Sequence, residues 1–275
     1  LWLKSQGFEV DFAPVDEKGF VDVEALASLI RSDTTLVSVM AVNNEIGSIQ
    51  PIQAISELLA DKPTISFHVD AVQALAKIPT EKYLTDRVDF ATFSSHKFHG
   101  LRGVGFVYIK SGKKITPLLT GGGQERDYRS TTENVAGIAA TAKALRLAME
   151  KLDIFTSKTG QMKSVIRQAL LDYPDIFVFS DEKGFAPHIL TFGIKGVRGE
   201  VIVHAFEDYD IFISTTSACS SKAGKPAGTL IAIGVDKDKA QSAVRLSLDL
   251  ENDMSQVEQF LTKLKLIYNQ TRKVR

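Results

Sequence analysis

Asn43, Asp70 and Lys97 recur at intervals of 27 residues, each following an apolar run rich in β-branched and aromatic side chains. The runs are Thr35–Val42, Thr64–Val69 and Asp89–Phe93. Short runs of this composition read as strands. Their spacing is close to the roughly 30 residues of a βαβ unit. Between the first two, Ile52, Ile55 and Leu59 fall on one helical face. The pattern predicts an α/β fold whose sheet is mostly parallel, with helices on both faces, and Gly103–Ile109 reads as a further strand. In such sheets the ligand crevice lies outside the carboxyl ends of the strands. An amide, a carboxylate and an amine are therefore expected at one cleft.

The second half changes character. A glycine turn, Gly121-Gly122-Gly123, precedes Gln124–Thr132 with Arg126 and Arg129, and a helix follows with Val135, Ile138, Ala142 and Leu145 predicted on its inner face. Beyond about Lys151 the pattern becomes α+β. Helices are expected over Thr156–Leu171 and Glu200–Glu207, and strands over Ile176–Phe179, His188–Ile194 and Ile211–Ser214. Val244, Leu246, Leu248 and Leu250 alternate with polar residues, so Arg245 projects from the face opposite the apolar one. Asp253 and Gln256 are spaced as a capping box for a final helix with Val257, Leu261 and Leu264 inward. The reading is a large domain over 1–152 and a smaller α+β domain over 153–275, with the break within 150–156. At the other end, Leu1 to Phe8 read as the last turn of a helix closing on Gly7, so the chain is expected to open in mid-element and to lack an upstream segment.

Composition narrows the function classes. Equal numbers of basic and acidic residues, 33 each, argue against a nucleic-acid surface dominated by charge. No apolar run approaches the ~18–20 residues of a membrane helix, and no secretory segment is evident, so no membrane partner and a cytoplasmic location are expected. A single cysteine, Cys219, excludes an intramolecular disulfide, and the five histidines show no metal spacing, so no metal is expected.

Several residues are suited to chemistry. Lys97 sits in a polar turn, Ser94-Ser95-His96-Lys97-Phe98-His99-Gly100, where a partly desolvated amine is poised to form a Schiff base; the plainer alternative is a solvated turn lysine. Asp70 is placed to pair with a pyridinium nitrogen or, equally, to cap a helix beginning near Ala71. Asn43 and Gln73 are candidate donors to a phenolic oxygen, and Ser94 and His96 to a phosphate. Cys219 lies in a small, polar, glycine-bearing stretch that reads as a mobile loop, with Lys222 and Lys225 favouring a thiolate. Arg245 is suited to a substrate carboxylate or to an ion pair. His68 and His188 read as structural.

The order of these pieces resembles a known family. His68-Val69-Asp70-Ala71-Val72-Gln73, Ser94-Ser95-His96-Lys97 with Gly100, Gly121-Gly122-Gly123-Gln124-Glu125-Arg126, Ser217-Ala218-Cys219-Ser220-Ser221 and Val244-Arg245-Leu246-Ser247-Leu248 are together similar to the cysteine desulfurases. These belong to the class V aminotransferase-like branch of the pyridoxal 5'-phosphate (PLP)-dependent enzymes of fold type I. The resemblance implies a PLP-binding large domain, a small domain carrying the cysteine loop, and conversion of L-cysteine to L-alanine. By position it implies that Lys97 carries the cofactor covalently and that Asp70 partners the pyridine nitrogen. Asn43 and Gln73 would bond the region of the phenolic oxygen, with Asn43 also near the substrate carboxylate. Ser94 and His96 would hold the phosphate, joined by Thr132 from a neighbouring subunit, which implies a homodimer. Arg245 would bind the carboxylate of L-cysteine. Cys219 would take the sulfur as a persulfide and pass it to an acceptor protein, for iron–sulfur cluster assembly, tRNA thiolation or another pathway.

The same fold also hosts selenocysteine lyases, sulfinate desulfinases and aminotransferases; a cysteine on a mobile loop weighs against the last. A catalytically idle partner-binding fragment is the reading from a different class. The family's phosphate-binding Gly-Thr/Ser segment and ring-stacking histidine belong upstream of Leu1. Leu101, Thr131 and Asp249 stand where proline, glycine and glycine are usual, and Gly224-Lys225-Pro226-Ala227-Gly228 replaces the common Leu-Glu-Pro-Ser.

Overall fold

Alternation of side chains along three short runs organises one end of the chain. The structure is a computed structural model that describes residues 2–216 and 228–273. Strands β1 (Leu36–Met40), β2 (Ser66–Asp70) and β3 (Phe90–Ser94) place Val37, Phe67, Val69, Ala91 and Phe93 on one buried face. The alternate positions, including Ser38, His68, Asp70, Thr92 and Ser94, share the other face, as the two-residue period of a strand requires. β1 and β2 pair in parallel, as do β2 and β3, with Met40 opposite Asp70 and Asp70 opposite Thr92. Strand β4 (Gly105–Ile109) closes the order β1-β2-β3-β4 antiparallel to β3. The fold is therefore α/β with a mostly parallel sheet. These strands belong to a compact unit of residues 33–41 and 52–152.

Within that unit, α3 (Ile52–Leu58) buries Ile52 and Ile55, and Leu59 just beyond it, along the predicted stripe. Its end is tied to the sheet by Arg87. The guanidinium donates to the carbonyls of Leu59 (2.9 Å), Lys62 (3.1 Å) and Ile65 (2.6 Å) and to Asp89 (2.8 Å). Asp89, 2 % exposed, also accepts from Phe67 N at 2.9 Å and faces Lys113 Nζ at 3.3 Å. Burial pushes the Asp89 carboxyl up, but the Phe67 amide and the two cations outweigh it, and the net shift is downward.

Helix α4 (Val135–Glu150) differs from the sequence reading. Val135 is 72 % exposed and Ile138 46 %, Ala142 is exposed and Leu145 only half-buried; the buried positions are Gly137 and Thr141. The helix packs against the short 3-10 turn Ser95–Phe98, and this approach selects small residues. A Cβ on Gly137 would lie 2.9 Å from Val104 Cγ2, so the larger apolar residues face away.

The second unit comprises residues 2–32, 42–51 and 153–273. Where the sequence reading cuts the chain once, between 152 and 153, segments 2–32 and 42–51 pack with the C-terminal residues. Ser180 Oγ donates to Ile46 O (2.6 Å), Thr191 Oγ1 to Glu45 O (2.5 Å), Ile49 N to Gly184 O (2.9 Å) and Ala186 N to Gly47 O (2.7 Å). Ile46 shares a buried cluster with Phe185, Leu230, Ala240 and Ala243. No linear reading of hydrophobicity exposes such pairings.

Strands β5 (Ile176–Val178), β6 (Ile189–Ile194), β7 (Ser214–Thr215) and β8 (Ala243–Ser247) form an antiparallel sheet of order β5-β6-β8-β7. Helices α5 (Leu152–Leu171), α6 (Gly199–Glu207) and α9 (Met254–Lys273) supply most of its core partners, and the same unit holds the short helices α2 (Val23–Leu29), α7 (Gly228–Ala232) and α8 (Lys237–Gln241). Phe206 stacks on Phe260 at 4.9 Å, and Phe192 meets Phe260 edge-on. Each such side chain contributes about 1.5–3 kcal/mol on burial. The capping box of α9 is formed: Gln256 N donates to Asp253 Oδ1 at 3.0 Å, and Asp253 N to Gln256 Oε1 at 3.3 Å. The first turn, α1 (Trp2–Ser5), ends at Gly7 with φ +87°, where Phe8 N reaches Leu3 O and Gly7 N reaches Lys4 O. That is the bond pair of a glycine-terminated helix.

Asp89→Ala leaves the half-buried Arg87 without its counter-charge and is expected to lower stability by about 1.5–3 kcal/mol in urea denaturation at pH 7. Because the folded-state pKa of Asp89 is depressed, its pH-linked stabilisation is complete above the ordinary carboxylate pKa and is lost as pH falls through the folded value. The difference between wild type and variant should therefore shrink below about pH 4.

Candidate active site

The parallel register puts functional groups at the carboxyl ends of β2 and β3. Asp70 ends β2, and Ser94, the last residue of β3, lies on the same face two positions beyond Thr92, the partner of Asp70. Asp70 does not cap an α-helix. Residues 71–79 are irregular turns, and its Oδ1 accepts from Val72 N at 3.0 Å, which fixes the carboxylate at the strand end. Gln73, half-buried, lies in the same turn.

A polar seam runs along this same face. Ser38 Oγ lies 2.8 Å from His68 Nδ1, and His68 Nε2 lies 3.2 Å from Thr92 Oγ1. Burial holds the His68 pKa below its ordinary value, against the pull of Asp70, so the ring bridges β1 and β3 as a neutral imidazole at pH 7. The structural reading of His68 matches this arrangement.

Lys97 is half-buried in the 3-10 turn Ser95–Phe98, with His96 exposed beside it. Three features lock that turn. Ser95, fully buried, shares a 2.9 Å hydrogen bond with Thr141 Oγ1, whose own proton goes to Gly137 O at 2.7 Å. Ser95 N donates to Val104 O, and Gly100 N to Ser95 O. His99 takes a left-handed conformation at φ +66° to close the turn. Ser95 and Thr141 were invisible as partners in the sequence, since 46 residues separate them and neither type signals a long-range bond.

Thr132 lies on an exposed stretch just before α4, whose N-cap is Asn134. The preceding turn holds Glu125, Arg126 and Asp127 at φ +52°, +55° and +67°, three successive left-handed non-glycine residues. Cys219 lies outside the described residues.

In the other unit, Asn43 and Arg245 meet at one turn. Asn43 is buried; its Oδ1 accepts from Glu45 N (2.8 Å) and Ile46 N (2.9 Å), and its Nδ2 donates to Thr229 Oγ1 at 3.2 Å. Arg245 projects from β8 opposite the buried Val244 and Leu246, and its Nη1 donates to Asn44 O at 2.8 Å. Burial raises the Glu45 pKa above its ordinary value, while hydrogen bonds from the Thr229 side chain and amide, and the charge of Arg245, pull it back. The sequence did not single out Glu45 or Thr229.

The class V aminotransferase family matches residues 2–260, and the chain belongs to that family. Within it, similar proteins carry NifS and cysteine desulfurase names. A NifS/IcsS protein homolog of Lactobacillus delbrueckii subsp. bulgaricus is 50 % identical over 273 residues, covering 99 % of this chain and 71 % of its own length. The cysteine desulfurase IscS of Clostridium botulinum is 39 % identical over 277 residues, covering 99 % and 69 % respectively. Among solved structures, a NifS-like protein superposes with a TM-score of 0.89 at 37 % identity, over 98 % of this chain and 70 % of that one.

Gly100→Ala tests the locked turn. The added Cβ would stand 1.8 Å from Ser95 Oγ, which its bond to Thr141 keeps from moving aside. The expected result is a loss of about 1–3 kcal/mol in thermal or urea unfolding.

Proposed function

We propose that this protein is a PLP-dependent cysteine desulfurase that converts L-cysteine to L-alanine and passes the sulfur through a persulfide on Cys219 to an acceptor protein. One observation carries the reading. A carboxylate, a hydroxyl and an amine (Asp70, Ser94, Lys97) stand at the ends of adjacent parallel strands and in the locked turn that follows. The names of the similar proteins support it.

The donor set fits the cofactor. Lys97 offers the amine for its aldehyde, and Asp70, held by Val72 N, offers a carboxylate for its ring nitrogen. Ser94 and His96 offer a hydroxyl and an imidazole for its phosphate, and Gln73 and Asn43 offer amides for its phenolic oxygen. When bound, PLP supplies an electron sink for the α-carbon of an amino acid. With PLP bound, Asp70 would hold a proton at the ring nitrogen. Lys97 Nζ would move the proton of the substrate's α-carbon. Arg245, steadied by its bond to Asn44 O, holds the substrate carboxylate. Cys219, as thiolate, would form a bond to the substrate sulfur as the substrate C–S bond breaks, the electron pair of that bond stays with the β-carbon, and the β-carbon takes up a proton so that the product leaves as alanine. Thr132 reaches the phosphate of a second copy, so the functional form is a homodimer. In the described residues no helix is long and apolar enough to cross a membrane.

Borohydride reduction of the PLP-loaded protein followed by peptide mass spectrometry should find the pyridoxyl group on Lys97, and Lys97→Ala should lose the visible band. Label on another lysine would reject the assignment. Cys219→Ser should keep the visible band while sulfide release from L-cysteine falls to background; sustained sulfide production would remove Cys219 from the reaction.

A further inference from the structure

Ser95 stands between residues that the cofactor reading uses on both sides, Ser94 before it and His96 and Lys97 after it. It is fully buried, and each of its polar atoms is spent. Its N donates to Val104 O at 3.0 Å, and its O accepts from His99 N and, at 2.9 Å, from Gly100 N. Those backbone bonds close the stretch 95–104 on itself. The Ser95 hydroxyl instead reaches out of that stretch to Thr141 Oγ1 on α4, at 2.9 Å. Proton count fixes the direction of this bond. Thr141 Oγ1 gives its one proton to Gly137 O at 2.7 Å, so Ser95 donates and Thr141 accepts. Gly137 O is also the i−4 acceptor of the Thr141 amide within the helix, so it keeps a donor if the Thr141 hydroxyl is removed. Ser95 Oγ loses its acceptor. The consequence of removing that hydroxyl therefore falls on the turn rather than on α4. All of these residues lie within the unit of residues 33–41 and 52–152.

We propose that Thr141 is a positioning residue: by accepting from Ser95 it sets where the Ser94–Lys97 turn rests against α4, and with it the reach of the Lys97 amine toward the PLP aldehyde and of the Ser94 hydroxyl toward the phosphate. The inference deepens the proposed function and rests on its assignment of PLP to Lys97. Thr141→Val keeps the shape of the side chain and removes the acceptor. A fully buried hydroxyl is then left without its partner, a costly state that the turn relieves by shifting.

The experiment compares wild type with Thr141→Val, Thr141→Ala, Thr141→Ser, Ser95→Ala and the double variant Ser95→Ala/Thr141→Val, with melting temperatures recorded. Three quantities are read: hydrogen exchange at the amides of Ser95, His99 and Gly100 in protein without PLP, the dissociation constant for PLP, and the pH midpoint at which the visible band of the bound cofactor changes. Thr141→Val and Thr141→Ala should speed exchange at those amides, weaken PLP binding about tenfold and shift the midpoint. Ser95→Ala should shift the midpoint in the same direction. Thr141→Ser should restore wild-type values, and Thr141→Val should add nothing once Ser95 is alanine. A Thr141 that serves only stability would lower the melting temperature and leave PLP affinity and midpoint at their wild-type values. That outcome, or effects of Ser95→Ala and Thr141→Val that simply add, would overturn the inference while Lys97 keeps the cofactor. Should Thr141→Val and Thr141→Ala fail to fold, Ser95→Ala decides, and wild-type affinity and midpoint there reject the inference. Borohydride label on a lysine other than Lys97 would overturn the cofactor reading and this inference together.

Discussion

The parallel pairing of β1, β2 and β3 is the constraint on which the candidate groups Asp70 and Ser94 depend. Hydrogen bonding between neighbouring strands sets Met40 opposite Asp70 and Asp70 opposite Thr92. Because side chains alternate, that register puts Asp70 and Ser94 on one face and Phe67, Val69, Ala91 and Phe93 on the other. A slip of one residue would bury the carboxylate and expose the aromatics, so the core that stabilises the sheet also specifies the chemistry at its end. The same register lines up Ser38, His68 and Thr92 as a polar seam on the face of Asp70.

Within each unit, the candidate groups are held by hydrogen bonds to neighbours outside the candidate set. Ser95 and Thr141 pin the turn that carries Lys97, and the small residues of α4 allow the helix close enough to make that bond. Two amides and a hydroxyl fix Asn43, and a backbone carbonyl steadies Arg245. Fixing the group in advance lowers the cost of ordering it when a ligand arrives. Asp70, Ser94 and Lys97 sit on or directly after strands, which hold position more accurately than long loops do.

The fold was legible wherever a pattern was local. Strand runs ending near Asn43, Asp70 and Lys97 stand out by apolar composition and spacing, the α3 stripe by its helical period, and the start of α9 by the Asp253–Gln256 pair. α4 was read the wrong way round, because hydrophobicity points to Val135 and Ile138 as the inner face while close packing against a tight turn demands Gly137 and Thr141. The candidate site was legible in its chemical types and their order along the chain. Glu45, Ser95, Thr141 and Thr229 were not, since a threonine or glutamate that bonds a residue dozens of positions away looks like any other surface polar residue.

By itself the sequence determined which segments become strands and helices and which chemical groups stand at their ends, because those depend on side-chain period and on residue type over a few neighbouring positions. Only the tertiary structure decided that residues 42–51 pack with the C-terminal segment, that Arg87 pairs with the buried Asp89, and which hydrogen bonds orient the Asn43 amide and the Lys97 turn. Those outcomes depend on contacts between residues far apart in the chain, and such contacts come into being only when the backbone has folded and water has been excluded from around them.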